Sequence, residues 1–321
     1  MKDIEVFCIG ELLVDVIPKN IGRYYEGFEF EIHFGGAPAN VCVGISRLNH
    51  RSGVIAAVGN DPFGDFLIEF LRNEGVDTRY IVRKNLRTTL AFVILKEMGE
   101  RDFFFYAKPW NTTAFTELSL SDISIDSILE ARVIHTSGVS TAFEPISNVI
   151  RDVFIAGYRR GIVTSFDPNY RDDIWGSGEK ALKVMDEYLS YTKLLSMGME
   201  EVEKMFRASD YRKLAKDLIS MYQGMEIVAI RRGSRGAYVY TRKGEEIEIP
   251  AYKINPIDTT GAGDAWTAAF IVYHILESKD LETSVRYANA AGALKCLKRG
   301  AVTGFPMRKD LEEFIAKNIV E

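Results

Sequence analysis

The stretch NPIDTTGAGDAWTAAFIVYHIL (255–276) carries the strongest signal in the 321-residue chain. Its apolar residues repeat at helical spacing, which predicts a helix that begins close to Gly261–Gly263. Glycines leave the backbone amides at that helix end unobstructed, and a helix N-terminus attracts anions. Asp264 falls in the first turn, where a carboxylate beside a bound phosphate can take a proton from an attacking hydroxyl. The alternative is an ordinary capped helix, because acidic residues favour the first turn of any helix.

Short apolar strands alternate with helix-like segments in most of the chain. GVIAAVGND (53–61) reads as a buried strand, and PFGDFLIEFLRNEG (62–75) follows it as an amphipathic helix. Further strands of this kind are predicted at 131–138, 161–169, 192–198 and 226–233. Strands that alternate with helices predict a mostly parallel sheet with helices on both faces, and therefore a three-layer α/β domain.

Two regions depart from this alternation of strands and helices and are predicted to form antiparallel strands. FEFEIHF (28–34) alternates apolar and charged or polar residues with period two. LAFVILKEMGERDFFFYA (90–107) reads as two strands around a turn at 97–100. We interpret both regions as a small β-rich lid, inserted in two segments at approximately 13–34 and 86–110. An edge extension of the main sheet is the alternative interpretation.

The stretch FGGAPANVCVGISRLN (34–49) is the second candidate site. A turn at Gly35 and Gly36 follows a predicted strand, and Asn40 lies near the start of the next helix. An amide side chain beside a bare glycine turn can hold sugar hydroxyls, because it both donates and accepts hydrogen bonds. A tight turn with an N-cap asparagine explains the same residues without a ligand.

Further candidates lie where other strands are predicted to end. Asp15 follows the first strand, at the position where open α/β sheets bind ligands. Arg171 lies just beyond another strand. In RRGSRGAYVY (231–240), Gly233 and Gly236 form a short turn between two strands, a weak signal because any hairpin can show it.

The composition and the missing motifs exclude several classes of protein. The chain is 47% hydrophobic and 26% charged with a net charge of −5, which is typical of a globular protein with no general affinity for nucleic acid or anionic lipid. The 3 cysteines form no CxxC pair, and the first residues lack the pattern of a signal peptide. We expect a cytoplasmic protein without a membrane or nucleic-acid partner. The sequence contains no P-loop motif, no GxGxxG after the first strand and no HExxH.

Together these stretches resemble the ribokinase-like (PfkB) family of carbohydrate kinases. The first signature of that family, two glycines followed by an asparagine in a helix, matches Gly35, Gly36 and Asn40. The second, DTxGAGD before a helix of small and apolar residues, matches Asp258 to Asp264. The likeness covers essentially the whole chain, and stretches such as GGAPANV and SFDPNYRDDIW are most similar to fructokinases.

The resemblance implies one three-layer α/β/α domain over 1–321 with a discontinuous lid sheet. It implies transfer of a phosphoryl group from ATP to a primary hydroxyl, here the 6-hydroxyl of D-fructose. Asp264 would be the general base, and the amides of Gly261, Ala262 and Gly263 would form the anion hole. The residues implied for sugar binding are Asp15, Gly35, Gly36, Asn40, Tyr106 and Arg171. Those implied for ATP binding are Gly233, Gly236 and Asn289. The resemblance also implies Mg²⁺ with the ATP and, as in many members, K⁺ near Asp258 and Thr260.

The chain departs from the family pattern in three places. Gly198 replaces the asparagine of an NxxE motif, so Glu201 alone is expected to assist Mg²⁺ through water. Arg231 stands where a threonine usually precedes the nucleotide turn, and some sugar-acid kinases carry a basic residue there. The lid sequence at 106–108 lacks an arginine that meets the substrate carboxylate in 2-keto-3-deoxygluconate kinases, although Lys108 offers a positive charge. The missing arginine favours a neutral sugar.

We therefore predict an ATP-dependent fructokinase, with 2-keto-3-deoxygluconate kinase or another sugar or nucleoside kinase of the same family as the alternative. A non-catalytic sugar sensor on the same scaffold is disfavoured, because Asp264 and the glycine loop are both present. The alternating apolar face at 28–34 predicts a homodimer in which two lids pack together.

Overall fold

The computed structural model describes residues 4–22, 24–95 and 101–318, and its strands and helices are numbered here in chain order. The strands of the large sheet are β1 (Val6–Ile9), β4 (Ser52–Gly59), β5 (Ile81–Lys84), β8 (Val133–Ser137), β9 (Val163–Asp167), β10 (Leu194–Gly198), β11 (Ile227–Arg231), β12 (Ala237–Thr241) and β13 (Glu246–Ile249). The strands of the small sheet are β2 (Leu13–Pro18), β3 (Phe30–Gly35), β6 (Leu90–Leu95) and β7 (Arg101–Tyr106). The helices are α1 (Ala37–Arg47), α2 (Pro62–Asn73), α3 (Ile125–Ile128), α4 (Ile146–Arg159), α5 (Asp172–Trp175), α6 (Gly178–Leu189), α7 (Met199–Lys204), α8 (Tyr211–Met221), α9 (Ala262–Phe270), α10 (Leu281–Lys295) and α11 (Arg308–Lys317).

The large sheet has the order β13-β12-β11-β10-β9-β8-β1-β4-β5. Its pairs are parallel from β5 across to β11. The β11–β12 and β12–β13 pairs are antiparallel. This confirms the predicted mostly parallel sheet. The parallel strands all end at one edge, where open α/β sheets bind their ligands.

The two faces of the large sheet are both covered, as the alternation along β4 shows. Val54, Ala56 and Val58 belong to the hydrophobic core that includes α1, α9 and α10, whereas Ile55 and Ala57 belong to the core that includes α4, α6 and α8. A strand buried on both faces reads as a continuous apolar run, which is the pattern of this segment. Each buried valine or isoleucine contributes about 1.5–3 kcal/mol to the stability of the three-layer arrangement.

The small sheet, called the lid below, is separate from the large sheet and has the order β3-β2-β6-β7. β2 pairs antiparallel with β3 and parallel with β6, and β6 pairs antiparallel with β7. The interpretation as a lid in two segments therefore fits better than an edge extension. The turn predicted at 97–100 lies outside the described residues. β2 begins directly after Gly10, Glu11 and Leu12, so the chain passes from the large sheet to the lid over a short buried connection.

α9 starts at Ala262, as the sequence predicts, and continues into a π-helical segment at Ile271–Leu276.

Among the residues that the structure describes, no helix combines the length and apolar character that a membrane span requires.

Candidate active site

A cavity of about 460 Å³, counted with its open mouth, lies between the lid and the edge where the parallel strands end. The lid contributes Leu13, Asp15, Phe103 and Phe105 to its lining. The large domain contributes Glu11, Gly36, Ala37, Asn40, Val139, Asn169, Arg171, Thr260, Gly261, Asp264 and Ala301. Most of the predicted sugar-side residues are therefore gathered around one cavity.

The floor of the cavity is the N-terminus of α9, which is shaped by its glycines. Gly261 has a φ of +78°, and a Cβ atom there would lie 2.4 Å from the carbonyl oxygen of Ala301. Only glycine fits that position without strain. Gly261 and the first residues of α9, Ala262 and Gly263, lie at the exposed positive end of the helix dipole, so this turn can hold an anion.

Asp264 lies in the first turn of α9 and faces the cavity. The amide Nδ2 of Asn40, on α1, donates a hydrogen bond to its Oδ2 at 2.8 Å. Burial raises the pKa of Asp264 to about 6, and the charge of Asp167 adds to this shift. The Asn40 hydrogen bond and the charges of Arg231 and Arg171 oppose it. A carboxylate with a pKa near 6 is ionised at neutral pH and still accepts a proton readily, as a general base must.

Asn40 has a second feature that points to a ligand. Its amide oxygen, Oδ1, is buried and has no hydrogen-bond partner among the described residues. Buried polar atoms are nearly always satisfied, so an orphaned acceptor on a cavity wall marks the place for a donor from a bound molecule. A sugar hydroxyl would supply that donor.

Asp15 and the Gly35–Gly36 turn form one tightly packed unit beside Asn40. A Cβ atom on Gly35 would lie 2.7 Å from the carboxyl carbon of Asp15, and one on Gly36 would lie 2.3 Å from the carbonyl oxygen of Glu11. Gly36 also has a φ of +110°, which favours glycine. Steric crowding therefore explains why the signature has glycine at both positions. A side chain at Gly35 would collide with Asp15, and one at Gly36 would collide with the backbone of Glu11.

Glu11 is a cavity residue to which the sequence prediction gave no role. Its buried carboxylate accepts hydrogen bonds from the hydroxyls of Ser137 and Ser140, and from the backbone N–H of Ala37 at 3.2 Å. Burial raises its pKa, and these hydrogen bonds oppose that change. Glu11 thereby fixes the Gly36 turn to the ends of β1 and β8. Its place directly after the first strand was a signal that could have found it.

Tyr106 lies apart from the lid residues that line the cavity, and its role in sugar binding stays a prediction. Phe103 and Phe105 face the cavity, whereas Tyr106 packs against Phe92 and Phe104 on the opposite face of the lid and is 55% exposed. Alternate residues of a strand point to opposite faces, so Tyr106 and Phe105 lie on different sides of β7. The alternation of side chains along the strand RDFFFY (101–106) would have assigned Tyr106 and Phe105 to opposite faces of the lid.

The free edge of β7 is held to the large domain at two points. The guanidinium of Arg171 lies over the ring of Phe103, 5.2 Å from its centroid. The carboxylate of Asp173 accepts a hydrogen bond from the backbone N–H of Phe105 at 3.0 Å. These contacts are called the lid latch below. They place Arg171 on the cavity wall, as the sequence predicts.

Arg231 lies beneath the N-terminal turn of α9 and joins several elements. Its Nη1 donates to Asp167 at 2.7 Å, to the hydroxyls of Ser196 and Thr267 at 2.9 Å each, and to the carbonyl of Gly263 at 3.4 Å. The ends of β9, β10 and β11 are thereby tied to α9. A threonine, the usual residue of the family, is too short to make these contacts together. The sequence analysis noted this departure as one shared with some sugar-acid kinases and did not predict these contacts.

Glu201, on α7, is buried beside this network. Its Oε1 accepts the backbone N–H of Tyr170 at 3.0 Å, and its Oε2 accepts the backbone N–H of Gly198 at 2.8 Å. Burial and the charge of Asp167 raise its pKa. The described residues contain no group of three or more acidic, histidine or cysteine side chains that could cage a metal.

The residues predicted for ATP lie farther along the same edge. Gly233 and Gly236 form a tight turn after β11, with φ values of +57° and +89°. A Cβ on Gly233 would meet open space, so the turn is open to a ligand there. Asn289 is buried instead: it accepts from the indole of Trp266 at 2.8 Å and donates to the carbonyl of Ile249 at 3.1 Å. Its side chain braces α9 and α10, and its part in nucleotide binding stays a prediction.

The residues predicted to hold K⁺ do not fit that ion. The Asp258 carboxylate accepts the backbone N–H groups of Thr260 and Gly300, each at 2.8 Å. The carbonyl oxygen of Asp258 accepts a hydrogen bond from the ammonium of Lys295 at 2.7 Å. A positive charge from the chain itself therefore lies at the predicted cation site. The resemblance gave no reason to single out Lys295, which falls inside an otherwise matching segment.

Known proteins resemble this chain along most of its length. The sequence profile of the pfkB family carbohydrate kinases matches residues 3–308. Fructokinase-2 of Oryza sativa subsp. japonica is 30% identical over 325 residues, which cover 97% of this chain and 94% of that protein. A Pyrococcus horikoshii protein described as an uncharacterized sugar kinase has a solved structure with 35% identity and a TM-score of 0.82, covering 96% of each chain.

A third relative has been solved with ligands. The fructokinase of Vibrio cholerae O395, with fructose, ADP and a calcium ion bound, is 29% identical with a TM-score of 0.84, covering 97% of this chain and 98% of that one. The Pyrococcus horikoshii protein has also been solved in complex with ATP. Structures that resemble this chain along nearly their whole length thus bind adenine nucleotides, and one binds a divalent metal.

Proposed function

Because this chain belongs to the pfkB family of carbohydrate kinases, which transfer phosphoryl groups to alcohols, we propose that it phosphorylates the 6-hydroxyl of D-fructose with ATP. The observation that carries the proposal is the cavity in which Asp264, hydrogen-bonded to Asn40, lies in the glycine-rich first turn of α9. The fructokinase relatives support fructose as the sugar.

Asp264 acts as the general base in this proposal. The sugar hydroxyl donates its proton to the carboxylate as its oxygen attacks the γ-phosphorus, and the bond to ADP breaks on the opposite side. The Asn40 hydrogen bond fixes the orientation of the carboxylate. The amides of Gly261, Ala262 and Gly263 hold the transferring group and stabilise the charge that develops on it.

Sugar hydroxyls are held by Asp15, Asn40 and the Gly35–Gly36 turn, with Arg171 on the far wall. Mg²⁺, when bound with the ATP, neutralises part of the phosphate charge. Glu201 is the carboxylate proposed to face it through water. The turn of Gly233 and Gly236 is proposed to hold the nucleotide, and the open space lies beside Gly233. Phe103 and Phe105 close the cavity from the lid side and exclude water.

The charge of the cavity supports a neutral sugar rather than a sugar acid. Three carboxylates, Glu11, Asp15 and Asp264, line the cavity, against one guanidinium, Arg171. Lys108, which had offered a replacement charge, is bound to Glu117 and to the carbonyl of Glu144 at 2.7 Å. The carboxylate of 2-keto-3-deoxygluconate would therefore meet mostly like charges.

A substrate panel tests the proposal. ADP release is measured with fructose, 2-keto-3-deoxygluconate, ribose and adenosine as acceptors, each with ATP and with GTP, and the product is located by ³¹P–¹H NMR. We expect kcat/KM for fructose to exceed the others by at least about tenfold, with phosphate on the 6-oxygen. Equal or better turnover of ketodeoxygluconate would favour the alternative sugar-acid kinase instead.

We also propose a cytoplasmic homodimer in which the outer faces of two lids pack together. The support is an exposed apolar surface on the lid that includes Ile32 (51% exposed), Tyr106, Tyr24 and Tyr25. Contiguous apolar patches of this kind commonly mark protein interfaces. Sedimentation should show a dimer that Ile32→Glu converts to a monomer, and a wild-type monomer at every concentration would contradict the proposal.

A further inference from the structure

We propose that the ammonium of Lys295 is a built-in replacement for the monovalent cation beside the anion hole, so that this kinase works without K⁺. Lys295 is the last residue of α10 and is fully buried, with 0% exposure. A lysine is almost never fully buried unless its charge is paired, so its burial needs an explanation.

The surroundings of the ammonium have the composition of a cation site. Its Nζ donates to the backbone carbonyls of Asp258, at 2.7 Å, and Lys298, at 3.2 Å. It also lies 3.8 Å from a carboxylate oxygen of Asp258, whose side chain is likewise fully buried. Carbonyl oxygens with one carboxylate are the ligands that K⁺ prefers, and an ammonium carries the same charge and donates to the same atoms.

The position of this site connects it to the proposed anion hole. Asp258 supplies both the carbonyl that Lys295 binds and the carboxylate that binds the backbone N–H of Thr260. Gly261 follows directly and packs against Ala301, which comes just after Gly300, the other partner of that carboxylate. Lys295 thus fixes the two segments, 257–262 and 296–301, whose contact sets the direction of the glycine amides.

A free cation at the same place is disfavoured by the charges present. A second positive charge near the ammonium would be repelled in a buried environment, and Asp258 offers only one negative charge. The lysine charge is tethered, so its occupancy does not depend on the salt in solution. We therefore expect the wild-type protein to be indifferent to which monovalent cation is present.

The test compares wild type with Lys295→Met, which shortens the side chain by one atom and removes its charge. Thermal unfolding and initial rates are measured with K⁺, NH₄⁺, Na⁺ or tetramethylammonium as the sole monovalent cation. For wild type we expect rates that differ by less than about twofold among the cations. For Lys295→Met in tetramethylammonium we expect a lower Tm and a rate reduced at least about tenfold, both restored saturably by K⁺ or NH₄⁺.

Lys295→Ala, which leaves more space, is the second variant if Lys295→Met does not fold. Lys298→Met is the matched control, because its side chain is exposed although its carbonyl binds Lys295. Strong activation of wild type by K⁺ overturns the inference, as does the absence of cation-specific recovery of Tm in both Lys295 variants. The rate measurements rest on the proposed function, whereas the Tm measurements do not. Failure of every sugar in the panel would thus remove the proposed function and leave the Tm result to decide the cation question.

Discussion

The two walls of the cavity are built in different ways. The wall formed by the large domain is fixed by buried groups: Arg231 joins three strand ends to α9, and Lys295 joins α10 to the loop before α9. The lid wall is held at its free edge by the lid latch, one hydrogen bond and one cation–π contact, and its outer face is exposed. The difference indicates that the fixed wall sets the chemistry, while the lid controls access.

Among the substitutions in the large-domain wall, Asp264→Asn is expected to have the largest effect. Loss of the general base should lower kcat by about 10²–10⁴-fold, while the fold and ATP binding persist. Initial rates with fructose and ATP, with nucleotide binding measured by calorimetry, check this outcome. Near-normal turnover would remove Asp264 from its proposed role.

The same variant should be more stable than wild type at neutral pH. The native pKa of Asp264 is raised to about 6 from an ordinary value of 3.8, so the folded protein holds the proton more tightly than the unfolded chain. Wild-type stability is therefore lost as pH rises from about 4 to 6, and Asn at that position avoids the loss. We expect a gain on the order of 1 kcal/mol at pH 8 that vanishes near pH 4, measured by urea unfolding at both values.

Gly261→Ala tests the shape of the same wall. A methyl group would collide with the Ala301 carbonyl and would sit at a positive φ, so we expect a destabilisation of about 3 kcal/mol and a loss of rate on the order of 10²-fold. Gly244→Ala is the matched control, because Gly244 has a φ of +86° and open space around it. A similar loss in both variants would mean that backbone strain, and not the collision, decides the effect.

Arg231→Gln tests the charge of the fixed wall. Asp264 faces Asn40 from α1, Asp167 from β9, Arg231 from β11 and Arg171 beyond β9. The rate of wild type should fall below pH about 6, where Asp264 gains a proton. Removal of the guanidinium should move this acid limb to higher pH. Adding Asp167→Asn should move it back, since the charge of Asp167 raises the pKa of Asp264; an unmoved limb would leave Arg231 a purely structural role.

Asp173→Ala tests the lid wall, and we expect the smallest effect. Loss of the latch should raise KM for the sugar by about threefold to tenfold with little change in kcat, because the bound geometry of the fixed wall remains. Hydrogen exchange at the backbone amide of Phe105 should quicken in parallel. Asp172→Asn is the matched control, since the contacts described for Asp172 are with Lys204 and the Tyr170 hydroxyl, both in the large domain. Unchanged exchange at Phe105 would contradict the latch.

The sequence predicted the fixed wall better than the lid wall, for physical reasons. Helix periodicity and glycine spacing located the turn at Gly261 and Asp264 closely, because local steric requirements leave few residue choices there. The orientation of Tyr106 was not predicted, because a short motif does not determine on which face of a strand a side chain lies. Lys295 was not singled out, and the contacts of Arg231 were not predicted, because their partners, Asp258 and Asp167, lie far away in the chain.

Asp15 lies on β2, a strand of the lid, whereas Asn40 and Asp264 belong to the large domain. A sugar that binds all three would join the two bodies, which the chain itself connects through the buried residues Gly10, Glu11 and Leu12. The affinity for the sugar and the equilibrium between open and closed lid positions are then thermodynamically linked. Any substitution that shifts the resting population of closed lids should shift the apparent affinity for the sugar by the same factor, even at a site that the sugar never touches.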